Sequence, residues 1–173
     1  NDIISDLLTL VKMDKTVQGL NIRQININEL LEAILKRLKP IADKKKIEVV
    51  LESFRPVSAE IDEMKLTLAI SNLVENAIKY NRPSGSVTVS IHSAESAVLE
   101  VTDTGIGISP ENQEKIFDPF YRVDKSRSRA MGGAGLGLAL VSEIARQHNG
   151  QVKVTQSSEK GSTIALMLPV TLL

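Results

Sequence analysis

The chain switches its hydrophobic period repeatedly, and no other feature constrains the fold as strongly. Leu30, Leu31, Ile34, Leu35, Leu38 and Ile41 recur at helical spacing, as do Leu66, Ile70, Leu73, Val74 and Ala77 within 61–80. A third helical segment covers 136–148, stopped by Asn149-Gly150. Short strand-like segments lie at 47–51, 87–91, 97–101, 152–155 and 163–168. The segments 87–91 and 97–101 read as a hairpin, and 158–161 as the turn of the closing pair. "RPSGS" at 82–86 is a further turn. Interspersed helices and strands, several joined by tight turns, predict an α+β fold. The expected form is a two-layer α/β sandwich: a mixed sheet of about five strands with three main helices on one face.

Local signals refine this outline. Residues 16–28 read as a linker holding a short strand around Ile22, Ile25 and Ile27, with Asn28 placed to cap the next helix. Pro40 is expected to kink or locally break that helix. Lys44-Lys45-Lys46 reads as a solvated helix end favoured by the dipole. Residues 1–14 carry Ile3, Ile4, Leu7, Leu8, Leu10 and Val11 on one broad face, as the tail of a longer helix or as a loose terminal one. Together with the start at Asn1, this leads to the expectation of a fragment.

Composition narrows the classes. Lys+Arg and Asp+Glu are each 21, so there is no basic footprint for nucleic acid. There is no cysteine, which excludes disulfides and thiolate metal sites. No apolar run approaches the roughly 18 residues of a membrane span, and no signal peptide is visible.

Four constellations carry polar or glycine-rich chemistry. In "NLVENAIKY", Asn72 and Asn76 share a helix face, with Lys79 close to it. Amide oxygens suit Mg²⁺ and an ammonium suits phosphate. Taken alone, the motif reads first as two solvated surface asparagines. In "VTDTGIGI", Asp103 precedes Gly105 and Gly107. An ionised carboxylate only accepts hydrogen bonds, and glycine lets a ligand approach the backbone. The pair could read a purine amino group, or form a strand-to-loop turn. In "GGAGLGLAL", glycines at 132, 133, 135 and 137 run into a helix start, where free N–H groups attract anions. The spacing is neither the dinucleotide fingerprint nor a P-loop.

The fourth is "FDPFYR", holding Phe117, Phe120 and Tyr121, three of the five aromatic residues, followed by Arg122. The aromatics could anchor a lid, and the guanidinium matches phosphate geometry. Lys125, Arg127 and Arg129 read as a solvated basic loop. The region 108–133 is long and polar, with a short helix expected at 111–116. Neither histidine has a carboxylate neighbour in sequence: His92 sits in strand alternation, and His148 ends a helix, where positive charge is favoured. No spacing suggests zinc or a nucleophilic triad.

These four blocks, in this order, resemble the catalytic and ATP-binding domain of bacterial two-component sensor histidine kinases. "ELLEAILKRLKPIADKKKIEVVLE" is similar to the family's first helix, and "DLLTLVKMDK" to the end of its dimerisation and phosphoacceptor hairpin. The resemblance implies a Bergerat fold with a mobile ATP lid at 108–133. It implies a hairpin end at 1–15, a linker and first strand at 16–27, and the catalytic domain at 28–173.

It also implies Mg-ATP as ligand. Asn76 would hold Mg²⁺ with Asn72 beside it. Lys79 and Tyr80 would contact the nucleotide. Asp103 would accept the adenine amino hydrogen, with Gly105, Ile106, Gly107 and Ile108 lining that wall. Backbone at Gly133, Gly135, Leu136 and Gly137 would cradle phosphates, and Arg122 would meet the γ-phosphate. Asn76, Lys79 and Arg122 are the implied catalytic set.

The implied reaction moves the γ-phosphoryl group to a histidine on an upstream helical domain, for relay to an aspartate of a response-regulator receiver domain. The implied whole protein is a membrane-anchored homodimer with this domain in the cytoplasm; the fragment itself is compatible with a monomer. Ala134 stands where the family often has Thr, which puts a hydroxyl contact in doubt but not a backbone cradle. The phosphoaccepting histidine and its acidic neighbour are absent from 1–173, and Glu75 is not given that role. The rival readings are a serine-directed kinase or gyrase-type ATPase of the same superfamily, and a pseudokinase acting as an interaction module.

Overall fold

The computed structural model describes residues 20–53, 55–93, 96–119 and 137–169. The elements run β1 (Ile22–Asn26), α1 (Ile27–Lys44), β2 (Glu48–Ser53), β3 (Ser58–Asp62), α2 (Glu63–Lys79), β4 (Ser86–Ser93) and β5 (Ser96–Asp103). Two 3-10 turns follow at Pro110–Asn112 and Lys115–Phe117, then α3 (Gly137–Gln147), β6 (Gln151–Ser158) and β7 (Gly161–Pro169). Five strands form one sheet in the order β2-β4-β5-β7-β6. Only the β2–β4 pair is parallel. β1 and β3 form a separate antiparallel pair.

Alternation in the strands sorts the two faces of the sheet. Val87, Val89 and Ile91 of β4 are buried, and so are Ala97, Leu99 and Val101 of β5. They pack with Ile70 and Val74 of α2 and Leu140 and Ile144 of α3 in one core. Period two in the strands and 3.6 in the helices thus meet at a single apolar layer. The outward positions of β5, such as Glu100 and Thr102, stay partly or fully exposed.

The helix ends follow local chemistry. Asp62 caps α2, its carboxylate accepting the Lys65 N–H at 3.1 Å. Both α1 and α3 end in paired backbone bonds of the Schellman type: Ile47 N–H to Ala42 O and Lys46 N–H to Asp43 O, then Gly150 N–H to Ala145 O and Asn149 N–H to Arg146 O. The motif needs a left-handed residue, supplied by Lys46 (φ 56°) and Asn149 (φ 58°). Asparagine tolerates this conformation; lysine does so less readily. Lys46→Gly is therefore expected to raise stability by about 0.5–1 kcal/mol, read as a higher urea midpoint at unchanged slope.

Several sequence expectations change. Asn26, not Asn28, caps α1 by accepting the Glu29 N–H at 3.1 Å. Asn28 instead accepts the Val57 N–H at 2.6 Å and donates to Arg55 O at 3.2 Å, holding the β2–β3 connection. α1 runs through Pro40 without a break. The bond Pro40 cannot make is to Lys36 O, on an exposed part of the last turns where water can take it. The helix expected from 61 begins at Glu63, because Ser58–Asp62 is a strand paired to β1.

His148 does not present a positive charge at a helix end. It is buried, its Nδ1 donating to Ile144 O at 2.8 Å while its Nε2 accepts the Asp62 N–H at 3.1 Å. Both ring nitrogens are used in the neutral tautomer, tying the end of α3 to the start of α2. Lys65 Nζ to Gln147 Oε1 at 2.9 Å adds a second tie at the same place.

Candidate functional site

The site is built on the second half of α2. Asn72, Asn76, Lys79 and Tyr80 are all partly exposed there. Asn72 and Asn76 lie one above the other on one face of the helix. Asn72 Nδ2 donates to Leu68 O at 2.9 Å, which leaves Oδ1 turned away from the helix. That oxygen lies against the start of α3: a Cβ on Gly137 would stand 2.8 Å from it. Gly137 therefore lets the first turn of α3 close on Asn72, and the N–H groups of a helix start favour anions. The Asn76 amide has no hydrogen-bond partner among the described residues and stays reachable by solvent. A neutral, accessible amide oxygen fits a hard cation such as Mg²⁺. Lys79 Nζ lies 5.6 Å from the Tyr80 ring centroid, within cation–π range.

At its C-terminal end α2 meets the loop after β5. A Cβ on Gly105 would fall 2.5 Å from Tyr80 O and 3.1 Å from Asn81 Cα, so only glycine allows this approach. Asn81 is buried and locks the junction. Its Nδ2 donates to Ser86 O at 2.9 Å; its Oδ1 accepts the Arg82 N–H at 2.8 Å and the Thr104 hydroxyl at 2.9 Å. Farther along the loop, Gly107 has φ 76° and sits on the β6–β7 turn, where a Cβ would overlap Ser158 O. Ile108 N–H donates to Ser157 Oγ at 2.6 Å. Ile106 is held between these anchored neighbours, 43% exposed.

Asp103 closes β5, with Val87 of β4 on one side and Ser162 of β7 on the other. Its Oδ1 accepts the Gly105 N–H at 2.9 Å, and its Oδ2 accepts the Ser162 hydroxyl at 3.0 Å. Burial pushes its carboxyl above the ordinary value of 3.8, against the lowering effect of the Gly105 and Ser162 hydrogen bonds. An ionised carboxylate offers about four lone-pair sites on its two oxygens, so these bonds do not exhaust its accepting capacity. A partly buried carboxylate of this kind can take a further N–H donor from a ligand.

The structure thus joins Tyr80 to Gly105, Asn72 to Gly137, and Asp103 to Gly105. Arg122, Gly133, Gly135 and Leu136 lie outside the described residues, as do Phe120, Tyr121 and most of the expected lid. In its described part, the short helix expected at 111–116 is two 3-10 turns, with Ile116 buried and Phe117 packed against the core. Sequence reading missed Ser162, Asn81 and Thr104. Ser162 could be found only through the register Asp103↔Ser162, and Asn81 looked like an ordinary turn residue.

The family profile for histidine kinase-, DNA gyrase B-, and HSP90-like ATPases matches residues 61–172. The chain is 38% identical over 170 residues to the sensor-like histidine kinase SenX3 of Mycobacterium tuberculosis (strain ATCC 25618 / H37Rv), covering 97% of this chain and 41% of that protein. It is 37% identical over 171 residues to the sensor histidine kinase WalK of Bacillus subtilis (strain 168), covering 96% of this chain and 28% of that one. Full-length ShkA in complex with AMPPNP superposes with a TM-score of 0.89 at 26% identity, over 99% of this chain and 36% of that chain. The mycobacterial sensor histidine kinase MprB gives 0.76 at 27%, over 88% and 99%. The chain spans less than half the length of these curated relatives. With the α/β sandwich and the profile match over most of the chain, it belongs to the histidine kinase-, DNA gyrase B-, and HSP90-like ATPase family.

Proposed function

We propose that this chain is the ATP-binding catalytic part of a sensor histidine kinase. It transfers the γ-phosphoryl group of Mg-ATP to a histidine on an upstream helical domain, for relay to an aspartate of a response-regulator receiver domain. The observation that carries the reading is Asp103. It is a partly buried acceptor at the end of the central strand, beside glycine-lined backbone and about two turns along α2 from the α3 start at Asn72. The eight residue steps from Asn72 to Tyr80 give about 12 Å along α2, over which an extended nucleotide can lie. The names of the similar proteins, and AMPPNP in the ShkA complex, favour the same chemistry.

In this reading Asp103 orients the base through its amino group. Gly105, Ile106, Gly107 and Ile108 form the wall beside it. Tyr80 and Lys79 contact the nucleotide, and Lys79 directs its ammonium to phosphate. Asn76, with Asn72 beside it, holds the metal. Bound Mg²⁺ neutralises charge on the phosphate oxygens. Backbone at Gly133, Gly135, Leu136 and Gly137 cradles phosphates, and Arg122 meets the γ-phosphate. In the transfer, a P–N bond forms to the imidazole as the bond between γ-phosphorus and the bridging oxygen breaks, leaving ADP. The chain's contribution is positioning and charge stabilisation.

We place the hairpin end at 1–15, the linker and first strand at 16–27, and the catalytic domain at 28–173, with 108–133 as its lid. The whole protein in this reading is a homodimer anchored to a membrane, with this domain on the cytoplasmic side. Among the described residues, no helix is long and apolar enough to cross a membrane.

The test joins this chain to its native upstream segment and supplies Mg-ATP. Acid-labile phosphohistidine is expected on that segment. Acid-stable phosphate on a supplied protein would instead indicate a serine-directed relative, and calorimetry without any Mg-nucleotide binding would indicate an interaction module.

A further inference from the structure

The run Lys44-Lys45-Lys46 contains one lysine that is not a solvated charge. The Lys45 ammonium donates to Ile78 O at 3.0 Å, Lys79 O at 2.8 Å and Asn81 O at 3.0 Å. An ammonium carries three hydrogens, and here each has a backbone carbonyl. These carbonyls belong to the end of α2, where helix geometry leaves acceptors without donors and the dipole favours positive charge. The Lys45 backbone binds the same segment, its carbonyl accepting the Ser84 N–H at 3.2 Å. One residue thus grips the chain at 78, 79, 81 and 84.

That segment is also a wall of the candidate site. It carries Lys79 and Tyr80. Its Tyr80 carbonyl and Asn81 Cα lie against Gly105, and its Asn81 side chain accepts the Thr104 hydroxyl. Asp103 is tied to Gly105 in turn. A shift of the α2 end would therefore move the phosphate-facing lysine and the base-facing loop together.

We propose that Lys45 is a positioning residue for nucleotide binding, its ammonium serving as a fixed internal cation that holds the end of α2 against the Asp103–Gly107 loop. The inference rests on the nucleotide reading of the site. Lys45 touches backbone oxygens of the site wall, not the ligand. Its role is generic in chemistry: any small cation that donates hydrogen bonds to three carbonyls can replace it. An apolar side chain of similar length cannot.

The experiment measures the affinity of a non-hydrolysable Mg-ATP analogue for wild type, Lys45→Ala and Ile34→Val. Each is tested in sodium, ammonium and tetramethylammonium chloride at equal ionic strength, alongside melting temperature. Lys45→Ala removes the ammonium and leaves its space open, and is expected to bind about tenfold more weakly in sodium. Ammonium restores part of that loss and tetramethylammonium none. Ile34→Val, a core change in α1, lowers the melting temperature without changing affinity. Wild-type binding with Lys45→Ala within about twofold of it, or a loss that ammonium does not relieve, overturns the inference alone. Wild type that binds no adenine nucleotide overturns the nucleotide reading, and the inference falls with it.

If Lys45→Ala does not fold, wild type carries the test through amine acylation followed by mass spectrometry. Lys45 should react more slowly than exposed Lys36 and Lys39, and slower still with nucleotide bound, because coupling between two sites is reciprocal. Equal rates for the three lysines, or no effect of nucleotide on Lys45, overturns the proposal.

Discussion

Asp103→Asn is expected to weaken adenine-nucleotide binding by about a hundredfold or more while leaving the fold intact. The carboxylate has two acceptor oxygens, one on the Gly105 N–H and the other on the Ser162 hydroxyl. Asparagine has one. Its oxygen must stay on the Gly105 N–H, since an amide NH₂ there would oppose a donor with a donor. The amide nitrogen then takes the other place and donates to Ser162 Oγ, whose hydroxyl can rotate to accept. The protein remains satisfied, but an adenine amino group arriving on that side meets N–H instead of oxygen. Calorimetric titration with a Mg-ATP analogue checks the loss. Affinity within a few-fold of wild type would mean that Asp103 does not read the base.

The same variant has a stability signature of definite sign. The Asp103 carboxyl titrates above its ordinary value of 3.8 because burial disfavours its charge. Between the ordinary value and the raised one, the folded state holds the proton and the unfolded state has released it. Wild-type stability from this group is therefore fully present below the ordinary value and is lost as pH rises through the raised one. Asparagine does not titrate. The stability of Asp103→Asn relative to wild type should rise across that window and then level off, as urea midpoints at a series of pH values would record. Nucleotide affinity of wild type should also fall on acidification sooner than for a carboxylate at its ordinary value.

What could be read in the sequence was what is local. The periods at 30–41 and 66–77 disclosed α1 and α2, and each strand of the main sheet lay within a few residues of its expected place. The motifs at Asn72–Tyr80 and Asp103–Gly107 stand out in the sequence because each lies within one short segment. β3 was not legible: Ala59 and Ile61 are too few alternating apolar positions to separate from the helical pattern that follows, and pairing with β1 decides the matter. Lys45 was misread for a similar reason. Three consecutive lysines look solvated until the fold brings carbonyls 33 to 36 residues away onto one of them. The Asp103–Ser162 contact spans 59 residues and exists only through the β5–β7 register.

Gly161→Ala carries the largest structural effect. Gly161 has φ 137°, a conformation that a residue with a Cβ rarely adopts. The Cβ would lie 1.9 Å from Asp103 O, 2.8 Å from Asp103 C and 2.9 Å from Thr104 Cα. All three are backbone atoms at the end of the central strand, so no side-chain rotation relieves the overlap. Strain and overpacking together should cost about 3–5 kcal/mol, roughly a 10 °C fall in melting temperature for a chain of this size. Relief can come only by displacing Asp103 and Thr104, or by opening the β7 end that carries Ser162. Either way the carboxylate leaves its place, so residual folded protein should also bind nucleotide poorly. Lys160→Ala is the matched control, since Lys160 is exposed in the same turn and its loss should change neither quantity. An alanine at 161 that melted with wild type would mean that the β6–β7 turn yields without moving the strand end. Asp103 would then be positioned by its own two hydrogen bonds rather than by the close packing of backbone beneath it.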